Sequence, residues 1–163
     1  MATTLPAPPS RVWPWLVQMG GGRAGWYSWD LLDNHGEPSA HRIHPEWQTL
    51  ATGQQLNGPT NWWQVAILQP YQTLVLRSSY RLLTGRSFDP RSDRLPPDYV
   101  DGIWGFHLRP AVGGHTRLVV RTRSLSRPRL MARPLGLLVG EPVHFFMQTR
   151  QFHNLRRRVD TQV

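Results

Sequence analysis

The chain lacks cysteine and lysine, and it has no long apolar run. The absence of cysteine excludes disulfides, thiolate zinc sites and a cysteine nucleophile. The apolar stretch LGLLVG at 135–140 is far shorter than the roughly 18 residues that a membrane-spanning helix needs. The N-terminal MATTLPAPPS has neither the basic nor the apolar region of a secretory signal. These absences predict a cytoplasmic protein with no transmembrane segment.

Apart from histidine, every cationic side chain is an arginine, and the formal net charge is +9. A guanidinium stays charged and binds phosphate or carboxylate through a planar fork, so the excess favours anionic partners. With 163 residues, of which 39% are hydrophobic, the chain fits one domain over 1–163 with a substantial core.

Aromatic side chains concentrate in VWPWLVQMGGGRAGWYSWDLLDN, residues 12–34. Four of the eight tryptophans lie in this stretch, namely Trp13, Trp15, Trp26 and Trp29, together with Tyr27. Aromatic rings bury a large apolar area and keep a polar group at one edge. A cluster of them, joined by a glycine-rich bend, is suited to line a small-molecule pocket or its mouth.

Local patterns predict two short helices, over 9–18 and 27–33, with Gly20 to Gly22 between them. Residues 34–61 are rich in proline, glycine, asparagine and histidine and are predicted to be loop, with one turn around Pro45 to Trp47.

Alternating apolar residues predict antiparallel strands in the second half of the chain. The segments are WWQVAILQP (62–70), TLVLR (73–77), IWGFHLRP (103–110) and HTRLVVRTR (115–123). A polar loop is expected over 84–101 and a hairpin turn at Gly113-Gly114. Leu137, Leu138, Phe145, Phe152 and Leu155 recur at near-helical spacing, which predicts a C-terminal helix within 136–159, best formed after Pro142. This order indicates an α+β protein.

Five separated phrases resemble the SRPBCC superfamily, and within it the START-related bacterial proteins described as polyketide cyclase/dehydrase-like. The phrases are VWPWLVQMGGGRAGWYSWDLLDN, PEWQTLATGQ, IWGFHLRP, HTRLVVRTR and FFMQTRQFHNLRRR. They occur in the same order as in that family and span most of residues 9–158.

The resemblance implies a helix-grip fold, in which a curved antiparallel sheet wraps around a long C-terminal helix, here with two short helices near the N-terminus. It also implies a cavity between helix and sheet that binds lipophilic molecules. Relatives carry a longer N-terminal segment, so we expect the first strand to be short or incomplete at residues 2–5. No catalytic motif and no cofactor come with the resemblance, because the family shares a cavity rather than a catalytic set.

The apolar strand residues that alternate toward the inner face, together with the aromatic cluster, predict binding of a lipophilic or aromatic small molecule. The side chains expected to line the cavity are Trp26, Tyr27, Trp29, Trp47, Val65, Ile67, Trp104, Phe106, Leu118, Val120, Phe145 and Phe152. Each of them is equally suited to a simple core position.

Two alternatives remain open. The first is a cyclase or dehydratase that moves protons with Asp30, Glu46 or Tyr27. The second is an arginine-rich nucleic-acid binder. Arg117, Arg121 and Arg123 share one parity of a strand, so we expect an exposed basic stripe that faces away from the cavity. No recognition motif accompanies this stripe, so any nucleic-acid binding should be nonspecific.

Two weaker motifs point to no cofactor and no metal. Gly20 to Gly25 fits G-x-G-x-x-G, but a helix precedes it where a dinucleotide site needs a strand, so we interpret it as a flexible bend. His41 and His44 with Glu46 could ligate a metal in principle. Pro45 breaks the helix that would place both histidines on one face, so we interpret them as loop residues.

Overall fold

A six-stranded antiparallel sheet forms the centre of the computed structural model, which describes residues 1–58, 62–128 and 141–161. The strands are β1 (Ala2–Leu5), β2 (Gln55–Asn57), β3 (Trp62–Gln69), β4 (Thr73–Tyr80), β5 (Tyr99–Ala111) and β6 (His115–Arg127). Their order across the sheet is β1-β6-β5-β4-β3-β2. Strands β2 to β6 therefore form a meander, and β1 is added beside β6 as the expected short first strand.

Three helices accompany the sheet: α1 (Pro9–Val17), α2 (Asp30–Asp33) and α3 (Glu141–Asp160), with a 3-10 turn at Pro45–Trp47. The predicted α+β class with two short helices and a C-terminal helix is confirmed. Helix α2 is shorter than the predicted 27–33, because Tyr27 has a positive φ of 59° and Trp29 is extended. In the described part of the chain, no helix is both long and apolar enough to cross a bilayer.

The hairpin between β5 and β6 is longer than the alternation predicts. Each strand has 13 residues, so β5 begins inside the predicted loop, at Tyr99. The turn lies at Gly113 and Gly114 as expected, and both glycines have positive φ, of 76° and 73°. That backbone region favours glycine, which explains why two of them occur together.

Strand β2 was not predicted. Its three residues, QLN, contain one apolar side chain, so the sequence shows no alternation there. The strand exists because Leu56 pairs with Trp63 of β3 and is buried. Such a short strand depends on its partner rather than on its own propensity.

The core lies between the inner face of the sheet and the helices. From α3, Leu155 and Val159 are fully buried and Phe152 is nearly so, in one cluster with the inward-facing residues of β5 and β6. These three positions are spaced to share a helix face. Helix α1 joins the same cluster, and Arg11 Nη2 donates to the Val159 carbonyl oxygen at 3.0 Å. The predicted Leu137 and Leu138 lie outside the described residues.

Two expected inward orientations are wrong. The side chain of Ile67 is 45% exposed, because the register of β3 against β4 shifts between Val65 and Ile67 and reverses the alternation. Phe145 is 60% exposed. It lies three residues before buried Gln148, about 60° round the helix, at the margin of the stripe that faces the sheet.

Candidate functional site

Trp104 is the centre of an aromatic group on the inner face of β5. Its ring stacks on Trp26 at a centroid distance of 5.4 Å. Phe106 lies at 4.8 Å and Trp63 at 5.7 Å from it. Trp26 and Phe106 are buried, whereas Trp104 and Trp63 are half-buried. The group therefore extends from the core to the surface.

A chain of glutamine hydrogen bonds joins α3 to this aromatic group. Trp104 Nε1 donates to Gln148 Oε1 at 3.3 Å, and Gln148 Nε2 donates to Gln151 Oε1 at 2.7 Å. Gln151 Nε2 then donates to the Trp26 carbonyl oxygen at 2.8 Å. Both glutamines are almost fully buried. Because buried polar groups need partners, this chain fixes the position of α3 over the sheet.

An open groove of 440 Å³ lies beside Trp104, between the first turns of α3 and strand β6. It is lined by Met1, Ile103, Val120, Arg121, Thr122, Arg123, His144 and Gln148. Three of these residues are direct neighbours of Trp104. Thr122 is its partner across the strands, Gln148 accepts its N–H, and the His144 ring is 6.2 Å from it.

The groove continues round the edge of β6. Along β6, Val120 and Thr122 belong to the alternating set of residues that faces inward. Arg121 and Arg123 belong to the set that faces outward. Strand β1 covers β6 only as far as Val120, which bonds to Met1, and no other described strand pairs beyond that point. Among the described residues, the edge of β6 is therefore unpaired where the groove lies.

Arg121 and Arg123 bring positive charge to the groove. They belong to the predicted basic stripe and have outward parity, and they line the groove together with Val120 and Thr122. Both are exposed, and neither has a hydrogen-bond or ion-pair partner among the described side chains. Arg117, by contrast, donates to Thr4 Oγ1 and does not line the groove.

His144 adds a polar group to the helix side of the groove. Burial lowers its pKa below the usual value, and the N-terminal amino group lowers it further. The imidazole is consequently neutral at neutral pH, so it can donate or accept one hydrogen bond without adding a charge.

Most of the predicted cavity residues are buried. The members with little or no exposure are Trp26, Tyr27, Val65, Phe106, Leu118, Val120 and Phe152. Among all twelve predicted residues, only Val120 lines the groove. Trp47 is half-buried and stacks on His44 at 4.2 Å. Trp29 lies at the surface, where it stacks on Phe146 at 5.1 Å with the Arg150 guanidinium over its ring.

The three acid–base candidates do not converge on the groove. Tyr27 is fully buried, accepts a hydrogen bond from Gln18 Nε2 at 2.8 Å, and has a pKa raised by burial. Asp30 accepts a hydrogen bond from the Ser39 hydroxyl, which also bonds to the Tyr27 backbone N–H. Glu46 is exposed beside His44. None of the three lines the groove.

Asp33 follows the aromatic segment, and an aspartate there could act as an acid or base if it is buried. It is 3% exposed, and neither oxygen has a hydrogen-bond partner among the described residues. Burial and the nearby Asp30 raise its pKa to about 6.

The glycine-rich segment is a bonded turn and not a phosphate loop. Gly20 and Gly25 exchange backbone hydrogen bonds, both of 3.0 Å, and the Gly21 N–H donates to the Asn57 carbonyl oxygen at 2.9 Å. A Cβ at Gly25 would lie 2.5 Å from Ser39 Oγ, so no larger residue fits. The segment that we expected to be a flexible bend is therefore held by hydrogen bonds, both within itself and to Asn57 of β2.

His44 Nδ1 lies 3.1 Å from Glu46 Oε1, while His41 is exposed. The part of the chain that the structure describes contains no group of three or more histidine, cysteine or acidic residues able to hold a metal ion.

A second groove, of 600 Å³, lies on the outer side of β3 and β4. Two arginines line it, Arg77 and Arg91, and Arg77 donates to both oxygens of Asp101 at 2.8 Å. The aromatic group around Trp104 lies on the opposite face of the sheet.

Comparison with known proteins gives little that bears on identity. No protein-family model and no curated protein matches the chain. One solved structure, that of protein MLL2253 from Mesorhizobium loti, aligns with 100% of this chain and 98% of its own length. The identity is 18% and the TM-score is 0.43.

Proposed function

We propose that this protein binds a lipophilic or aromatic small molecule in the groove between α3 and β6. We also propose that its architecture is a helix-grip fold of the SRPBCC type. The support for the second proposal is the antiparallel sheet with the C-terminal helix packed on its inner face through Leu155 and Val159.

One observation carries the functional proposal: three residues that line the groove are neighbours of half-buried Trp104. Thr122 is its strand partner, Gln148 accepts its N–H, and the His144 ring lies beside its own ring. Its volume of 440 Å³ is within the ordinary range of small-molecule sites. Ile103 and Val120 offer apolar contacts, and His144, Gln148 and Thr122 offer a few polar groups that would orient a ligand. This mixture is typical of such sites.

Ligand binding is assigned to the groove rather than to the centre of the fold because the central side chains already pack against one another. Phe106 and Leu118 have no exposure, and Trp26 is stacked between the core and Trp104. A ligand placed there would have to displace well-packed groups. The groove requires no such rearrangement.

Binding without turnover is the simplest reading of this geometry. A cyclase or dehydratase needs an acid or base within hydrogen-bond reach of its substrate. Tyr27, Asp30 and Glu46 do not line the groove, and the neutral His144 is the titratable side chain of the groove that lies closest to the aromatic group.

The proposal is tested with a neutral apolar fluorophore, N-phenyl-1-naphthylamine, titrated into wild type and two tryptophan variants. Thr122→Trp fills the groove, and His115→Trp adds the same side chain at an exposed position at the other end of β6. We expect the wild type and His115→Trp to bind with similar affinity and Thr122→Trp to bind at least about tenfold more weakly, a change of about 1.4 kcal/mol.

Melting temperatures measured in parallel establish that both variants are folded. Equal binding by Thr122→Trp and the wild type would show that the fluorophore binds elsewhere. No binding by the folded wild type, across a panel of neutral lipids and aromatic compounds as well, would contradict the proposed function.

A further inference from the structure

Two arginines, Arg121 and Arg123, lie where the groove reaches the edge of the sheet. Arg121 and Arg123 are exposed, line the groove, and bond to no described side chain. They are two residues apart on one face of a strand, so their Cα atoms are about 7 Å apart. Two guanidinium groups at that separation can bracket a single carboxylate or phosphate.

Three other arginines of the described chain are already bound. Arg77 is bound by Asp101, Arg81 by Asp98, and Arg158 donates to the backbone oxygens of Ser39 and Ala40. The carboxylate closest along β5, Asp101, is fully engaged by Arg77 and the Ser79 hydroxyl. The charge of Arg121 and Arg123 is therefore uncompensated by the described part of the chain.

We infer that the ligand of the α3–β6 groove is an anionic amphiphile, whose carboxylate or phosphate monoester lies between Arg121 and Arg123 and whose apolar part lies along Val120 toward Trp104. This inference rests on the proposed function and names the chemical class of its ligand. The groove combines the charge of Arg121 and Arg123 with the apolar side chains of Met1, Ile103 and Val120. A molecule with one charged end and one apolar end matches that combination.

Desolvation also favours an anionic head group at the exposed edge of the groove. An anion held at the exposed edge keeps part of its hydration, so binding does not carry the large penalty of burying a charge. The same charge placed beside Trp104 would lose its water and gain no cation. The orientation of the ligand follows from this difference.

The test compares three probes with the same twelve-carbon chain, below their micelle concentrations: dodecanoate, dodecyl phosphate and dodecanol. We expect each anion to bind the wild type at least about tenfold more tightly than the alcohol, which corresponds to about 1.4 kcal/mol. This preference should decrease as salt is added, because the arginines are exposed. A preference for one anion identifies the head group as carboxylate or phosphate.

The matched variants separate a local contact from general charge. Arg121→Gln with Arg123→Gln removes the proposed contacts. Arg109→Gln with Arg117→Gln removes the same amount of charge from β5 and β6, away from the groove. We expect only the first pair to bring the anions and the alcohol to similar affinity. An equal loss in both pairs would mean that the net charge, and not this site, attracts the anion.

The outcomes also distinguish this inference from the proposed function. If the alcohol binds the wild type as tightly as the anions, the head-group assignment is wrong and the apolar groove stands. If none of the three probes binds while all variants are folded, both are overturned.

Discussion

The indole N–H of Trp104 points at the Oε1 atom of Gln148, 3.3 Å away, and this hydrogen bond joins the longest helix to the inner face of the sheet. Gln148 borders the groove and is 2% exposed. The residue that fixes the helix is thus also a wall of the candidate ligand site. Groove shape and helix position should therefore change together.

Replacing Gln148 with leucine should destabilise the protein. The substitution keeps the volume close to that of glutamine but leaves Trp104 Nε1 and the Oε1 atom of Gln151 without their partners. Unsatisfied buried groups cost about 1–3 kcal/mol each in unfolding free energy. Urea unfolding measures the change, with His153→Leu as the control because His153 is exposed on the same helix. Equal stability of both variants would show that the glutamine chain does not hold α3.

Two truncations on α3 should differ strongly. Leu155 is fully buried, so Leu155→Ala should lower the unfolding free energy by about 2–5 kcal/mol. Phe145 is 60% exposed, so Phe145→Ala should change it by less than about 1 kcal/mol. Thermal or urea unfolding gives both values. A larger loss for Phe145 than for Leu155 would mean that the helix packs with a different face toward the sheet.

Asp33 should make the fold less stable as the pH rises. Its carboxyl pKa is raised to about 6 in the folded protein, above the value of about 3.9 expected in the unfolded chain. The protonated form therefore favours folding; this contribution is complete below about pH 4 and is lost as the pH rises through about 6.

Asp33→Asn should remove this dependence. At about pH 7 the variant should be more stable than the wild type by an amount on the order of 1–3 kcal/mol, and the gap should close toward about pH 4. The measurement is a series of urea unfolding curves across that range. Asp93→Asn serves as the control, since Asp93 is exposed. A gap independent of pH would refute the assignment to the buried carboxylate.

The outer face of β5 and β6 should bind phosphate polymers weakly. Arg109 and Arg117 lie directly opposite each other across the two strands, where like charges destabilise the sheet. Their attraction to DNA would arise from counterion release, so it should fall steeply with salt and show no sequence preference. Filter binding of unrelated duplexes at two salt concentrations measures both properties. Tight, salt-resistant and sequence-specific binding by the wild type would instead support the nucleic-acid alternative.

The strands of the sheet could be predicted because their inward residues alternate over five or more positions, as in Trp104, Phe106 and Leu108. The hairpin turn could also be predicted, because two adjacent glycines occur between two such alternating segments. The exceptions have local causes. The irregular register at Ile67 inserts a residue into the alternation, and β2 has too few residues to show any pattern.

The groove could not be read from the sequence for a different reason. It depends on where β1 stops covering β6, on the placement of the first turns of α3, and on the hydrogen bond between Gln148 and Trp104. None of these is a local property of a segment. The alternation of apolar residues along the strands identified buried residues, because a packed core and a cavity wall use the same side chains.

The most direct test of the central claim is to locate a ligand in a crystal. Crystals of the wild type grown with 12-bromododecanoic acid would be measured at the bromine absorption edge, and the anomalous difference map would give the position of the chain end. We predict a bromine peak on the Trp104 side of the groove, with the carboxylate density between Arg121 and Arg123. A fully occupied ligand bound outside the space between His144, Gln148, Val120 and Thr122 would contradict the account.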